Sequence, residues 1–197
     1  KVTPAKEVFK KLKLQPLGIH IREGLAMLNG TSAMTGIGGV NVLMAHRLVM
    51  WSTLLSLMVN EMMEAYDDHF SAELNNVKQH RGQRHVAEWM RKLGAQSKLM
   101  RKRHEHLYDK KITEDVIEDK VQEYYSLRCV PQILGPILDT VLNTEQVIVN
   151  ELNSVNDNPV VDRKNKNIFH GGNFHGDYIA LEMDKLKIAV TKLSMLA

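Results

Sequence analysis

Three polar side chains recur at three-residue intervals near the middle of the chain, and one of them is suited to binding a carboxylate. Gln122, Tyr125 and Arg128 would share one face if their segment is helical, since residues three apart are neighbours on a helix. The planar guanidinium of Arg128 matches a carboxylate through two parallel hydrogen bonds. The alternatives are an ordinary surface arginine, a half-buried tyrosine and a glutamine on a helix surface.

Polar loops carry three further candidates. Asn29 lies in an Asn-Gly dipeptide, which favours a turn with positive φ. Asn158 precedes a proline in a stretch that also fits a turn, and Phe174 follows a glycine pair. Loops are where binding and catalytic side chains concentrate, but simple turns and core packing account for the same residues.

Other chemistries find little support in the sequence. His104 and His106 would point to different sides of a helix and no third ligand is evident, so we predict no metal site. The basic run over 98–111 is interleaved with acids and has one aromatic residue, which favours a solvated face over nucleic-acid binding. Cys129 is the only cysteine, which excludes an intramolecular disulfide and fits a reducing cytosol.

The composition indicates a helical protein with one core. The chain has 197 residues, 44% hydrophobic and 25% charged, and its net charge of +3 does not imply a nucleic-acid partner. Aromatic residues make up 6% while methionine occurs 11 times, which suits helix packing. The apolar stretch over 48–60 is shorter than the ~20 residues that cross a bilayer, so we predict a buried core helix and no membrane partner. We expect a single helical domain over 1–197.

Apolar periodicity predicts long helices between the polar loops. The clearest stripes run from Val40 to about Tyr66, over Ile133–Asn153 with Pro136 in the first turn, and from about Asp177 onward. Three further helices are predicted: one from Pro4 to Leu17, a basic helix over Val86–Arg103, and a helix capped by Thr113 with Asp115 and Glu118 near its start. Loops are predicted over Glu23–Gly39, Asn75–Gln83, Ser126–Pro131 and Asn156–Gly176. The pattern is typical of an all-α, long-helix bundle.

Four of these segments resemble the aromatic amino-acid ammonia-lyases, the family of the histidine, phenylalanine and tyrosine enzymes. They are 23–31 (Glu-Gly-Leu-Ala-Met-Leu-Asn-Gly-Thr), 122–132 (matching Gln-x-x-Tyr-Ser-x-Arg-x-x-Pro-Gln), 154–159 (Ser-Val-Asn-Asp-Asn-Pro) and 171–176 (Gly-Gly-Asn-Phe-His-Gly). Residues 80–83 (His-Arg-Gly-Gln) are also similar to a family segment. The matches follow the family's order over essentially the whole chain.

The resemblance implies a fumarase/aspartase-like helical fold and elimination of ammonia from an aromatic amino acid. The family uses an electrophilic methylidene-imidazolone (MIO), formed from an Ala-Ser-Gly tripeptide of the same polypeptide. This chain contains no Ala-Ser-Gly. In the family, the tripeptide and the proton-abstracting tyrosine both lie upstream of the Asn-Gly-Thr loop, so we expect both before residue 1. Both ends of the chain also look cut. We therefore expect this chain to be an interior piece of a longer lyase, and to be inactive on its own.

The resemblance assigns roles to the residues around 122–128. Arg128 would bind the substrate carboxylate. Tyr125 would lie beside the electrophile and orient substrate or relay protons, and Gln122 would hydrogen-bond into the site.

The resemblance also assigns roles to the loop residues. Asn29 would hydrogen-bond near the electrophile and the substrate, and Phe174 would pack near the electrophile or the substrate ring. Asn158 corresponds to a polar residue close to the same site.

Three readings compete with an ammonia-lyase: an aminomutase with the same electrophile, a catalytically silent assembly or binding subunit, and a helical interaction domain with chance matches. We favour L-histidine as substrate from the runs at 125–129 and 172–175, while 156–159 leans toward the phenylalanine and tyrosine enzymes. The resemblance further implies a cytoplasmic homotetramer, and exposed apolar helix stripes would support self-association.

Overall fold

A computed structural model describes residues 2–109 and 121–196, and helices dominate it. The helices are α1 (Ala5–Leu12), α2 (Glu23–Asn29), α3 (Ser32–Met62), α4 (Ala72–Asn76), α5 (Arg81–Leu93), α6 (Tyr125–Arg128), α7 (Val130–Leu152) and α8 (Asp177–Ser194), with a 3₁₀ turn at Asp67–Phe70 and a π-helical turn at His104–Tyr108. Two short strands, β1 (Val160–Asp162) and β2 (Asn167–Phe169), form a hairpin. The all-α fold class is confirmed. The cap predicted at Thr113, with Asp115 and Glu118, lies outside the described residues.

The described residues group into two compact units. Unit 1 comprises 2–32 and 155–175, and unit 2 comprises 33–109, 121–154 and 176–196. The single domain expected over 1–197 stays a prediction.

The core of unit 2 is built around α7. This helix packs against α5 on one side and α8 on another, so its apolar positions are buried around much of its circumference. Helix α3 adds one buried stripe at helical spacing, made of Thr35, Gly38, Val42, Ala45, Val49, Thr53, Leu57 and Asn60. Val49, Leu138 and Ile179 belong to one buried cluster that joins α3, α7 and α8.

The loop predicted over Glu23–Gly39 is wrong, because most of this segment is helical. The segment forms α2 and the start of α3. Gly38 lies in α3, where an added Cβ would meet the side chains of Ile148, Ile179 and Met183 at 3.4–3.5 Å. These are ordinary van der Waals distances, so only a side chain larger than alanine would crowd the neighbouring helices.

Several helix ends differ from the predicted ones. Helix α3 ends at Met62 and not near Tyr66, because Glu64 adopts a left-handed φ of 48° and the Ala65 N–H donates to the Asn60 carbonyl at 2.9 Å. Helix α5 ends at Leu93, ten residues short of the prediction. Helix α7 begins at Val130, which puts Pro136 inside the helix.

Helix α3 is longer than the apolar stretch that predicted it. It has 31 residues and a mean hydropathy of 1.6 over its most apolar window, so by length and composition alone it could cross a membrane. Core helices of soluble proteins pass the same test. The fully buried Asn60 and Thr53 both donate side-chain hydrogen bonds to backbone carbonyls within unit 2.

Unit 1 contains the hairpin, which corrects the loop predicted over Asn156–Gly176. Val160 pairs with Phe169 and Asp162 with Asn167 in antiparallel register. The turn is fixed by the Asp162 carboxylate, which accepts hydrogen bonds from the backbone N–H groups of Lys164 and Asn165 at 3.0 and 3.1 Å. Hydrogen bonds from Asn165 lower the pKa of Asp162, and the one from the Asn165 side chain has a larger effect than the one from its backbone N–H.

Candidate active site

Helix α6 is a single turn that places Tyr125 and Arg128 on one face. The backbone N–H groups of Leu127 and Arg128 both donate to the Tyr124 carbonyl at 3.0 Å. The guanidinium carbon Cζ of Arg128 lies 4.9 Å from the centroid of the Tyr125 ring, within the range of a cation–π contact. The shared face predicted for these two residues is therefore confirmed.

Gln122 does not extend that face, which corrects the sequence-based prediction. It lies before α6 in non-helical chain, and its side chain is exposed. The helix begins only at Tyr125, because Tyr124 is extended at φ −60° and ψ 155°. The spacing rule for helical neighbours therefore does not reach back to Gln122.

Arg128 offers an unused hydrogen-bond donor. Its Nε atom is buried and has no hydrogen-bond partner among the described residues, and the same holds for the Oε1 atom of Gln132. Buried polar atoms of native proteins are nearly always paired, so such orphans point to a bound group or water. The sequence reasoning missed Gln132, although it closes the matched motif four residues after Arg128.

A buried histidine borders the same region. His69 is 5% exposed, and its backbone carbonyl accepts a hydrogen bond from Asn75 Nδ2 at 3.0 Å. Burial lowers the pKa of His69, and the positive charges of Arg103 and Arg128 act in the same direction. The carboxylates of Asp68 and Glu123 oppose that shift, and Asp68 is the stronger of the two.

Three cations of the basic run pair with acids, and two of them, Arg101 and Lys102, remain exposed at the surface. Arg103 Nε donates to Asp68 Oδ2 at 2.7 Å and its guanidinium lies 4.0 Å from the Tyr66 ring centroid. The hydrogen bond that Arg103 donates to Asp68 raises the pKa of Arg103. Arg101 pairs with Glu64 and Lys102 with Asp67.

The two histidines weighed as metal ligands make other contacts. His106 Nδ1 lies 2.8 Å from the Tyr66 hydroxyl, and His104 Nδ1 lies 3.1 Å from Asp109 Oδ1. Within 2–109 and 121–196, no group of three or more His, Cys, Asp or Glu side chains is arranged to hold a metal ion.

Unit 1 holds the other three candidates: Asn29 at the end of α2, and Asn158 and Phe174 in the segment around the hairpin. Asn158 Oδ1 accepts from the Gly171 N–H at 2.8 Å, which ties the two arms of that segment together. Arg22, which precedes α2, pairs with Asp157 at 2.6 Å and so links α2 to it.

These contacts separate binding candidates from structural ones in unit 1. The Oδ1 atom of Asn158 is used for a hydrogen bond between the two arms of the loop. Asn29 is exposed and Phe174 is 41% exposed, so both present their side chains at the surface of the unit. An amide donor and a phenyl ring suit the carbonyl and the flat ring of a methylidene-imidazolone, so the residues fit the chemistry of that group.

The chain belongs to the aromatic amino acid lyase family, whose model matches residues 1–197. It is 41% identical over 202 residues to tyrosine 2,3-aminomutase of Myxococcus sp. (strain Mx-B0), covering 98% of this chain and 38% of that protein. It is 33% identical over 195 residues to histidine ammonia-lyase of Caenorhabditis elegans, covering 98% and 28%.

A relative from Streptomyces globisporus connects the sequence to a solved structure. The chain is 37% identical over 198 residues to its MIO-dependent tyrosine 2,3-aminomutase, covering 97% of this chain and 36% of that protein. The crystal structure of tyrosine aminomutase from that organism matches with a TM-score of 0.86 at 37% identity, covering 97% of this chain and 38% of that one. The chain thus spans less than two fifths of the length of these relatives.

Proposed function

We propose that the full-length protein removes the amino group of an aromatic amino acid, as an ammonia-lyase or an aminomutase. The observation that carries the proposal is Arg128, whose buried Nε has no partner among the described residues and whose guanidinium lies against Tyr125. A half-buried arginine with an unpaired Nε donor is suited to hold a substrate carboxylate, which a guanidinium binds through two hydrogen bonds.

In the proposed reaction, the Cα–N and Cβ–H bonds of the substrate break and a carbon–carbon double bond forms. Arg128 holds the carboxylate and so fixes the position of Cα and Cβ. The Tyr125 hydroxyl is the group on this face that would hold or pass a proton, and its ring is kept in place by the Arg128 guanidinium. Asn29 and Phe174 are the residues of this chain that would contact the methylidene-imidazolone, which supplies an electrophilic carbon that makes the amine a better leaving group.

The substrate we propose for the first test is L-tyrosine, which revises the slight sequence-based preference for L-histidine. Two tyrosine 2,3-aminomutases are 41% and 37% identical to the chain, whereas the histidine ammonia-lyase of Caenorhabditis elegans is 33% identical. An aminomutase would return the amine at Cβ, and a lyase would release it as ammonia.

Product analysis on the full-length protein tests this proposal. The protein is incubated with L-tyrosine, L-phenylalanine and L-histidine in turn, and the products are separated by chromatography. An unsaturated acid with equimolar ammonia identifies a lyase, and a β-amino acid identifies an aminomutase. The absence of both with all three substrates would leave a silent assembly or binding subunit as the better account.

The cofactor part of the proposal has its own test. The coding sequence upstream of residue 1 is expected to contain an Ala-Ser-Gly codon run. An upstream region without it would remove the electrophile from the proposal.

We also propose that the protein is a cytoplasmic homo-oligomer. One face of α3 exposes large apolar side chains, among them Leu43 at 65%, Trp51 at 59% and Leu55 at 54%. A contiguous apolar face of this kind is unusual on a monomer surface, and a second copy would cover it. Light scattering of the full-length protein tests the oligomer, and a monomer would contradict it. Imaging of a fluorescently tagged copy in cells tests the location.

A further inference from the structure

The carbonyl of Leu127 cannot be satisfied in the usual helical way. In a continuing helix it would accept from the backbone N–H four residues later. That residue is Pro131, which has no N–H to donate. The chain nevertheless passes almost directly from α6 into α7, with only Cys129 between them. An unpaired carbonyl in buried chain is costly, so a donor from elsewhere is needed.

A buried asparagine on α3 supplies that donor. Asn60 Nδ2 lies 3.3 Å from the Leu127 carbonyl and 2.8 Å from the carbonyl of Ser56. Asn60 is 0% exposed. Its backbone is fixed as well, because its carbonyl accepts the Ala65 N–H that closes the end of α3. These hydrogen bonds hold the amide nitrogen where it meets α6, while Asn60 Oδ1 has no partner among the described residues.

The bond acts on the peptide unit that leads into Arg128. The Leu127 carbonyl and the Arg128 N–H belong to one planar peptide group. The N–H side donates to the Tyr124 carbonyl at 3.0 Å, and the carbonyl side accepts from Asn60. With both sides held, the plane cannot rotate, and the direction in which the Arg128 side chain leaves the backbone is set.

We propose that Asn60 is a positioning residue for Arg128, replacing the N–H that Pro131 lacks. The inference rests on the proposed role of Arg128 in carboxylate binding. Asn60 does not touch substrate; it orients the turn that does.

The test compares Asn60→Leu with a matched control in the full-length enzyme. Thr53→Val is the control, because Thr53 is also buried on α3 and its hydroxyl donates to the Val49 carbonyl at 2.8 Å, a bond within the same helix. We expect Asn60→Leu to raise KM for the amino acid roughly tenfold with a smaller change in kcat, since a shift of about 1 Å in a positioning group has effects of this order or larger. Thr53→Val should change KM by no more than about twofold.

Two further measurements separate positioning from a general packing defect. The affinity for the unsaturated product acid should fall in Asn60→Leu, while the affinity for its amide, which lacks the carboxylate, should not. Pro131→Ala introduces the missing N–H, so it should move the KM of Asn60→Leu back toward the wild-type value. Equal losses for acid and amide, with no recovery from Pro131→Ala, would overturn the proposal. If Asn60→Leu does not fold, Asn60→Ala removes the same donor without adding bulk.

Failure of this inference is distinguishable from failure of the proposed function. The affinities of Arg128→Ala for the product acid and for its amide are measured alongside. If Arg128→Ala prefers the acid over the amide as strongly as the wild type does, the carboxylate role of Arg128 itself is refuted. Hydrogen exchange then decides on Asn60, because losing its bond should accelerate exchange of the Leu127 and Arg128 amides relative to Thr53→Val. Unchanged exchange at both amides would overturn the positioning role whatever the activity.

Discussion

The Arg128 guanidinium packs against the Tyr125 ring within a single helical turn, with Cζ 4.9 Å from the ring centroid. Arg128 Nε is buried and has no hydrogen-bond partner among the described residues. The aromatic face stabilises the cation while Nε remains unpaired, an arrangement that favours recognition of a flat anionic group such as a carboxylate.

Replacement of Arg128 by lysine should damage binding although the charge is kept. Arg128→Lys loses the planar fork, so we expect KM for the aromatic amino acid to rise roughly 10- to 100-fold. Steady-state kinetics on the full-length protein measures this. Arg163→Lys, an exposed arginine of the hairpin turn, serves as the control and should leave KM unchanged. A similar KM for wild type and Arg128→Lys would contradict carboxylate binding.

Removal of the Tyr125 hydroxyl should affect the rate more than binding. Tyr125→Phe keeps the ring under Arg128 and removes the proton-handling group, so kcat should fall about 100-fold while KM changes little. Tyr178→Phe, an exposed tyrosine of α8, provides the comparison. An unchanged kcat would show that the Tyr125 hydroxyl has no part in proton transfer.

Gly135 should be intolerant of a side chain. An added Cβ would lie 2.6 Å from the Gln83 backbone nitrogen, where α5 and α7 are in contact. We expect Gly135→Ala to lower the free energy of unfolding by about 2 to 3 kcal/mol through overpacking. Gly36→Ala is the matched control in another helix, where nothing lies within 4 Å of the added Cβ. Denaturant titration measures both, and equal stabilities would disprove the close approach.

Acid should destabilise the fold through His69. Burial lowers the pKa of His69 in the folded state, so its contribution to stability is fully present above its ordinary pKa of about 6.5. As the pH falls below that value, the unfolded chain takes up a proton that the folded chain does not, and stability is lost down to the folded-state pKa. Tm should therefore decrease less between pH 7.5 and 5.5 in His69→Gln than in wild type. His170→Gln, an exposed histidine, should retain the wild-type slope, and a His69→Gln slope equal to wild type would contradict the assignment.

The sequence predicted the long helices and the Tyr125–Arg128 face because those features have local signals. Apolar periodicity marks α7 and α8, and a three-residue spacing marks the shared face. Glycine misled the prediction at the start of α3, since Gly38 lies inside the helix, where an added Cβ would contact Ile179 of α8, and not in a turn. Three-residue strands such as β1 are too short to show a period of two.

The contribution of Asn60 has no local signal in its own segment. Its partner Leu127 is 67 residues away, so the bond exists only once α3 and α6 have packed. Pro131 was the one hint, because a proline four residues after Leu127 means that a carbonyl needs another donor. His69 was missed for the same reason, since its burial depends on contacts made by the folded chain.

The most direct test of the central claim is kcat/KM of the full-length protein, as wild type and as Arg128→Ala, on L-tyrosine, L-phenylalanine and L-histidine. Loss of the α-amino group is followed as unsaturated acid, ammonia and β-amino acid together. We predict turnover of at least one of the three amino acids, and a fall in kcat/KM of about 100-fold or more in Arg128→Ala. No turnover of any of them, or equal kcat/KM for the two proteins, would contradict the claim.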